Sequence, residues 1–182
     1  MHSVRRSLSV DAAKALVNAF ITSRIYYCNN VFSRVARART HVRPLQSVLN
    51  AAARLIVKKR KYDPITSTIR DVLHWLPIQQ RIECKICDLV YKAMHHTAPV
   101  YLTELCVPVS IHQDRANLRS ATHRDLNVAA NKGTTYGRRS FAVSGPTTWN
   151  ELSLSIREQS LSLGQFPSRL KTELFNRAYY VA

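Results

Sequence analysis

Apolar residues recur every three to four positions along most of the chain, a period that predicts helices. We expect a first helix from Ser9, as its N-cap, to about Tyr27, with its end at residues 28–30. A second is expected from Pro44, because proline suits a first helical turn, to about Val57. Its apolar stripe is Leu45, Val48, Leu49, Ala52, Leu55 and Ile56.

Prolines also introduce the next predicted helices. Asp63-Pro64 predicts a cap and first turn for a short helix with Ile65, Ile69 and Leu73 on one face. Pro77 predicts a longer helix that ends at about His95, and Pro99 one or two turns through Leu105. The apolar side of the longer helix is Ile78, Ile82, Ile86, Leu89, Val90 and Ala93.

The pattern weakens after Pro108, where residues 109–135 are polar. An extended piece is expected at residues 140–143, closed by a turn at Gly145-Pro146 and followed by one helical turn at residues 149–152. A last helix is expected from about Phe166 to Ala178. The fold class predicted is mostly α: a bundle of about five to seven helices, followed by a looser tail with short extended pieces and a C-terminal helix. The corresponding domains are residues 1–108 and 109–182.

Positive charge is concentrated in the first third of the chain. The 182 residues include 27 Lys and Arg against 11 Asp and Glu, a net charge of +16, yet residues 12–62 contain no Asp or Glu. A solvated helix face would normally mix both signs. Excess charge of one sign repels itself in a compact fold, so it favours a polyanionic partner, of which nucleic acid is the commonest.

Two basic runs within this interval are the candidate contacts for phosphates. They flank the second predicted helix, so that antiparallel packing against the first would place one run at each end of the pair. The alternatives are a solvated loop or a nuclear-localisation patch. The candidate nucleic-acid-binding residues are Arg34, Arg37, Arg39, Arg43, Arg54, Lys58, Lys59, Arg60 and Lys61.

Signals for catalysis or a cofactor are weak. The sequence has no glycine-rich phosphate loop, no Gly-x-Ser-x-Gly elbow and no adjacent acidic residues that would hold catalytic magnesium. Cys84 and Cys87 lie in an apolar helix pattern, which favours small core residues over half of a zinc site with His95 and His96. His74-Trp75 favours an aromatic plug between helices over acid–base chemistry. We therefore expect no metal and no cofactor.

Targeting signals are also weak. No run of 18 apolar residues predicts a membrane span. Residues 1–10 include Arg5 and Arg6 but no apolar segment, so they do not form a secretory signal, and a mitochondrial targeting peptide is the alternative to a frayed terminus. We expect reduced cysteines and a nuclear or cytoplasmic location.

Several motifs resemble the region that follows the palm in LINE-type non-LTR retrotransposon reverse transcriptases. Residues 45–56, LQSVLNAAARLI, resemble that family's LQxVQNxAARLI, and residues 73–85, LHWLPIQQRIECK, resemble its LHWLPVxxRIxFK. Residues 23–29, SRIYYCN, are similar to its SRLDYCN. Further similarities follow in the family's order at residues 91–94, 98–102, 118–120, 136–141, 146–150 and 166–175.

The resemblance implies a thumb and C-terminal tail, in which a helical thumb grips the template–primer through its backbone. The family's catalytic aspartates would lie before Met1, so no polymerase activity is expected of this chain by itself. The expected partners are RNA or an RNA–DNA duplex and a reverse-transcriptase palm in cis or in trans, with the oligomeric state left open. The alternatives are a truncated or decayed remnant without independent function and, with least support, an autonomous enzyme.

Four positions depart from the family's pattern and put the native packing of the tail in question. They are Tyr27, Arg138, Ser153 and Pro167.

Overall fold

The computed structural model describes residues 8–27, 39–111, 123–130, 140–157 and 161–180. Helix α1 (Val10–Val17) continues through a π-helical segment, Asn18–Thr22, into α2 (Ser23–Tyr27). The other helices are α3 (Arg39–Val57), α4 (Ile78–Met94), α5 (Val100–Thr103), α6 (Phe141–Asn150) and α7 (Gln165–Tyr179). A π-helical segment spans Thr68–Val72, and a 3-10 turn spans Val109–Ile111.

The predicted helical fold class is confirmed. Seven α-helices lie in the described ranges, which contain no β-strand and one isolated bridge, between Pro108 and Leu126. Ser9 caps α1 as predicted, since its hydroxyl accepts a hydrogen bond from the Ala12 N–H. The predicted end of the first helix, at residues 28–30, lies outside the described residues.

Helices α1 and α3 pack through small and branched apolar side chains. Ala13 and Val17 form a buried cluster with Ala52 and Ile56, while Ile25, further along α2, joins a cluster with Leu49. The later residue of one helix therefore meets the earlier residue of the other, which is antiparallel packing. This arrangement fixes which side of α3 remains in solvent.

The main core surrounds α4, on which α6 and α7 pack. The Tyr91 ring stacks on Phe166 with centroids 3.9 Å apart and planes 9° from parallel, and Trp149 lies 5.9 Å from Phe166. The Tyr91 hydroxyl donates to the Leu161 carbonyl. Three aromatic side chains from three helices thus form the centre of the fold.

Trp75, in the linker before α4, contacts all three buried clusters. Its carbonyl accepts a hydrogen bond from the Tyr179 hydroxyl at 2.8 Å, and the buried Arg81 guanidinium lies 5.6 Å from its ring centroid. The side chain of His74 is exposed and its ring centroid is 6.2 Å from that of Phe175. Trp75 is therefore the plug that the sequence predicts, whereas His74 lies at the surface.

The extended piece predicted at residues 140–143 and the turn predicted at Gly145-Pro146 are wrong, because α6 begins at Phe141, directly after Ser140 at its N-cap, and continues through both. Gly145 does not form a turn: a Cβ there would come within 3.2 Å of Val90 Cγ2 and 3.3 Å of the Phe141 ring. The glycine instead lets α6 approach α4 closely. Burial of this face against α4 outweighs the helix-breaking tendency of Gly145-Pro146. The helical turn predicted at residues 149–152 comprises the end of α6 and the two residues after it.

Two predicted helix starts are also wrong. Pro44 is the sixth residue of α3 rather than its opening, because Val42 and Leu45 pack against the core and hold the turn on either side of it. The Asp63 carboxylate does not cap the following helical turns, which begin at Thr66. It accepts the Arg60 N–H at 2.8 Å instead.

The core does not divide at the predicted domain boundary, residue 108. One hydrophobic cluster contains Ile86 and Val90 from the first part together with Trp149, Phe166 and Leu170 from the second. The described helices of the tail therefore share a core with the first part of the chain.

Two departures from the family pattern fit this packing. Pro167 lies in the first turn of α7, where its missing N–H would have had no partner within the helix. The Ser153 hydroxyl donates to the Glu173 carboxylate on α7.

Candidate nucleic-acid interface

The solvent face of α3 carries two of the predicted phosphate contacts. Arg43 and Arg54 are eleven residues, or about three helical turns, apart, so they lie on the same side of the helix at a separation of about 16 Å. Leu49, Ala52 and Ile56 are buried on the opposite side. The packing that buries the apolar stripe therefore leaves Arg43 exposed and Arg54 half-buried on the outer side of the helix.

The other described contacts follow the end of α3. Lys58 has φ +58°, and the Lys59 N–H donates to the Arg54 carbonyl at 3.0 Å, which is the hydrogen bond of a Schellman motif. Glycine usually occupies this left-handed position. The motif turns the chain sharply, so that the basic run folds back beside the last turn of the helix.

Three hydrogen bonds hold this turn in place. The Arg54 Nε donates to the Asp63 carbonyl at 3.0 Å, and the Lys59 Nζ donates to the Pro64 carbonyl at 3.0 Å and to the Thr68 hydroxyl at 2.9 Å. Two of the predicted contacts thus also position the loop. Lys58, Arg60 and Lys61 are exposed.

A small cavity lies where the turn meets α3. It has a volume of about 140 Å³ and is bordered by Arg54, Lys59 and Lys61, with Ala51 and Leu55 as its apolar wall. We call this the basic cavity, and we call Arg54 with residues 58–61 the basic cluster. Among the described residues, no carboxylate lies within 4 Å of the nitrogens of these five side chains. The cluster can therefore receive an anion without first breaking an ion pair.

The first predicted run is only partly placed. Arg34 and Arg37 lie outside the described residues, and so does the side chain of Arg39. Arg43 lies at the other end of α3 from the basic cavity and does not line it. Of the nine candidate residues, the structure brings together the five of the basic cluster.

Tyr62 is the residue that the sequence interpretation missed. It follows the second basic run directly, its side chain is 87% exposed, and the Lys61 Nζ lies 5.3 Å from its ring centroid. An aromatic residue next to a run of four basic residues is a signal that could have identified it.

Cys84 and Cys87, the two free cysteines of α4, are core residues. Cys87 is fully buried and Cys84 packs partly against the same cluster. Burial raises the pKa of the Cys87 thiol well above its usual value and also raises the pKa of Cys84. Protonated thiols are poor metal ligands and nucleophiles. In the described part of the chain, no three metal-ligating side chains lie close enough to share an ion.

A second, larger groove of about 530 Å³ lies between α7 and the residues after α6. Its Arg177 donates to Glu173, which also accepts the Ser153 hydroxyl. Two of the charged side chains that line this groove, Glu173 and Arg177, therefore already pair with each other. Among the described helices, none is long and apolar enough to cross a membrane.

Comparison with known proteins adds no relative. No protein-family model, curated protein sequence or solved structure matches the chain.

Proposed function

We propose that this chain binds nucleic acid through the basic cluster and the solvent face of α3, as the thumb-and-tail region of a LINE-type reverse transcriptase does, and that it has no catalytic activity by itself. The proposed ligand is RNA or an RNA–DNA duplex. In the full polymerase, a palm in cis or in trans supplies the catalytic aspartates.

The observation that carries this proposal is the coincidence of charge and geometry. Residues 12–62 contain no acidic residue, and the described basic residues of the cluster share one turn at the end of α3 without a carboxylate partner. Binding by phosphate neutralisation needs such a local excess of exposed cations and no base-specific geometry. Arg43, on the same side of α3, extends the basic surface along the helix.

The salt dependence of binding tests the proposal. We expect Lys58→Ala/Arg60→Ala/Lys61→Ala, made in the full chain, to weaken binding to a 20-base-pair RNA–DNA hybrid and to unrelated hybrid sequences alike. If each side chain neutralises one phosphate, the slope of log affinity against log salt flattens by about two to three. Fluorescence anisotropy at several salt concentrations measures both quantities.

A matched control removes three positive charges elsewhere. Arg169 and Lys171 are exposed on α7, and Lys85 is half-buried on α4. Lys85→Ala/Arg169→Ala/Lys171→Ala should leave the slope close to that of the unmodified chain. Equal losses in both triple variants would mean that only the net charge matters, which would contradict the proposed interface.

The alternative is a remnant of an element that has no independent function. Its distinguishing property is failure to fold without a palm. The described residues include 28 buried apolar ones, most of them in one cluster around α4, which argues for a core that can form on its own. A cooperative thermal or urea transition of the purified chain would count against the remnant.

A further inference from the structure

Tyr62 is exposed, whereas Tyr91 and Tyr179 pack in the folded core. Tyr91 is buried in a ring stack, and the Tyr179 hydroxyl donates to the Trp75 carbonyl. Tyr62 has the largest exposed fraction among the exposed large apolar side chains of the described residues. Its ring therefore offers an exposed aromatic face directly beside the basic cluster.

Lys61 connects this ring with the basic cavity. Its side chain borders the cavity, and its Nζ lies 5.3 Å from the Tyr62 centroid. The cavity volume of about 140 Å³ corresponds to roughly four or five water molecules, which is enough for one tetrahedral oxyanion. A cavity bordered by three basic side chains and an exposed aromatic ring therefore lie next to each other.

The turn that carries both features is held before any ligand arrives. The Asp63 carboxylate accepts a hydrogen bond from the Arg60 N–H at 2.8 Å, and the backbone carbonyl of Asp63 accepts one from the Arg54 Nε at 3.0 Å. Lys59 anchors the same turn to Pro64 and Thr68. A turn fixed at several points loses little conformational entropy on binding.

We propose that the basic cavity and Tyr62 form a subsite for one unpaired nucleotide, with its phosphate in the cavity and its base stacked on the Tyr62 ring. This inference deepens the proposed function and rests on it. Bases in a duplex are stacked on one another, whereas an unpaired base can be splayed onto an aromatic side chain. The subsite therefore selects a single-stranded overhang or loop next to the duplex held by the basic surface.

An oligonucleotide without bases separates stacking from charge. The probes are a dT12 strand and a 12-residue abasic strand with the same number of phosphates, both measured by competition in fluorescence anisotropy. We expect the unmodified chain to bind dT12 about fivefold or more tightly than the abasic strand, which is the lower end of the effect of stacking one base. Tyr62→Ala should abolish that ratio, and Tyr62→Phe should keep it.

The matched control is Tyr101→Ala, because Tyr101 is 65% exposed on α5 and lies outside the basic cluster. It should leave the ratio unchanged. If Tyr62→Ala also leaves the ratio unchanged while the triple lysine–arginine variant still flattens the salt slope, the nucleotide subsite is wrong and the phosphate-binding surface stands. If neither variant affects binding, both proposals are wrong.

Discussion

Three basic side chains around α4 lie next to carboxylates, whereas those of the basic cluster do not. Lys92 pairs with Asp88, Arg157 with Asp125 and Arg177 with Glu173. No such pair involves the basic cluster among the residues that the structure describes. The two regions belong to one fold but differ in whether their basic side chains form ion pairs.

The difference has a physical cause. A charge that is removed from water needs a partner, since an unpaired buried charge costs several kcal/mol. A charge that remains in water needs none and adds only a diffuse repulsion. Of the three paired cations, Arg157 is the buried one, so its pair contributes to the stability of the core, whereas Lys92 and Arg177 are 43% and 36% exposed. The cations of the basic cluster have no carboxylate to release before they bind a ligand.

Phe166→Ala should have the largest effect on the core side of this comparison. The ring is fully buried between Tyr91 and Trp149, so we expect the free energy of unfolding to fall by about 3–5 kcal/mol. Urea denaturation followed by circular dichroism measures it. The control Phe20→Ala removes a ring that is 61% exposed and should change stability by less than about 0.5 kcal/mol. Similar losses in the two variants would contradict the core described here.

Asp125→Asn should have an intermediate effect. It removes the carboxylate that pairs with Arg157, whose side chain is only 6% exposed and whose Nε already has no hydrogen-bond partner in the described structure. Because Asp125 itself is 23% exposed, we expect a loss of about 2 kcal/mol rather than the full cost of a broken buried pair. Asp11→Asn, at an exposed pair on α1, should change the urea midpoint very little. A midpoint shift as small for Asp125→Asn would mean that this ion pair does not stabilise the fold.

Substitutions of Lys58 should have the smallest effect on the free energy of unfolding. They also separate the contribution of the basic cluster to stability from its contribution to binding. Lys58→Gly relieves the left-handed backbone that Lys58→Ala retains, so the glycine variant should be more stable by about 0.5–1 kcal/mol. Both variants remove the same charge and should lose the same affinity for an RNA–DNA hybrid. Thermal melts and anisotropy check the two parts. Equal stability would show that φ +58° is not strained, and unequal affinity would show that the backbone rather than the charge controls binding.

Helical periodicity predicted the elements best where a long apolar stripe was available. Ile78, Ile82, Ile86 and Val90 are all buried on α4, and Phe166, Leu170 and Leu174 are buried on α7. The same reasoning failed at Pro44 and at Gly145-Pro146. There, local preferences indicate a break, but packing against α4 or the main core holds the helix together.

The candidate site was predictable in part. The distribution of charge identified Arg54 and residues 58–61, because the interval without acids, residues 12–62, is visible in the sequence alone. It could not show that Arg54 and Lys61 border one cavity while Arg43 lies about three turns away along α3. The position of Tyr62 directly after the second basic run could have identified it, whereas its 87% exposure is visible only in the folded chain.

The amino-acid sequence by itself determined that this protein is helical and strongly basic, since periodicity and charge are local properties that folding does not change. Only the tertiary structure decided that the tail belongs to the same core and that five basic side chains meet at one turn. Hydrogen bonds between residues five to nine positions apart hold the basic turn. The shared core depends on contacts between residues far apart in the chain, such as Tyr91 with Phe166 and Gly145 with Val90. Their energies come from burial and close approach, which no single segment contains.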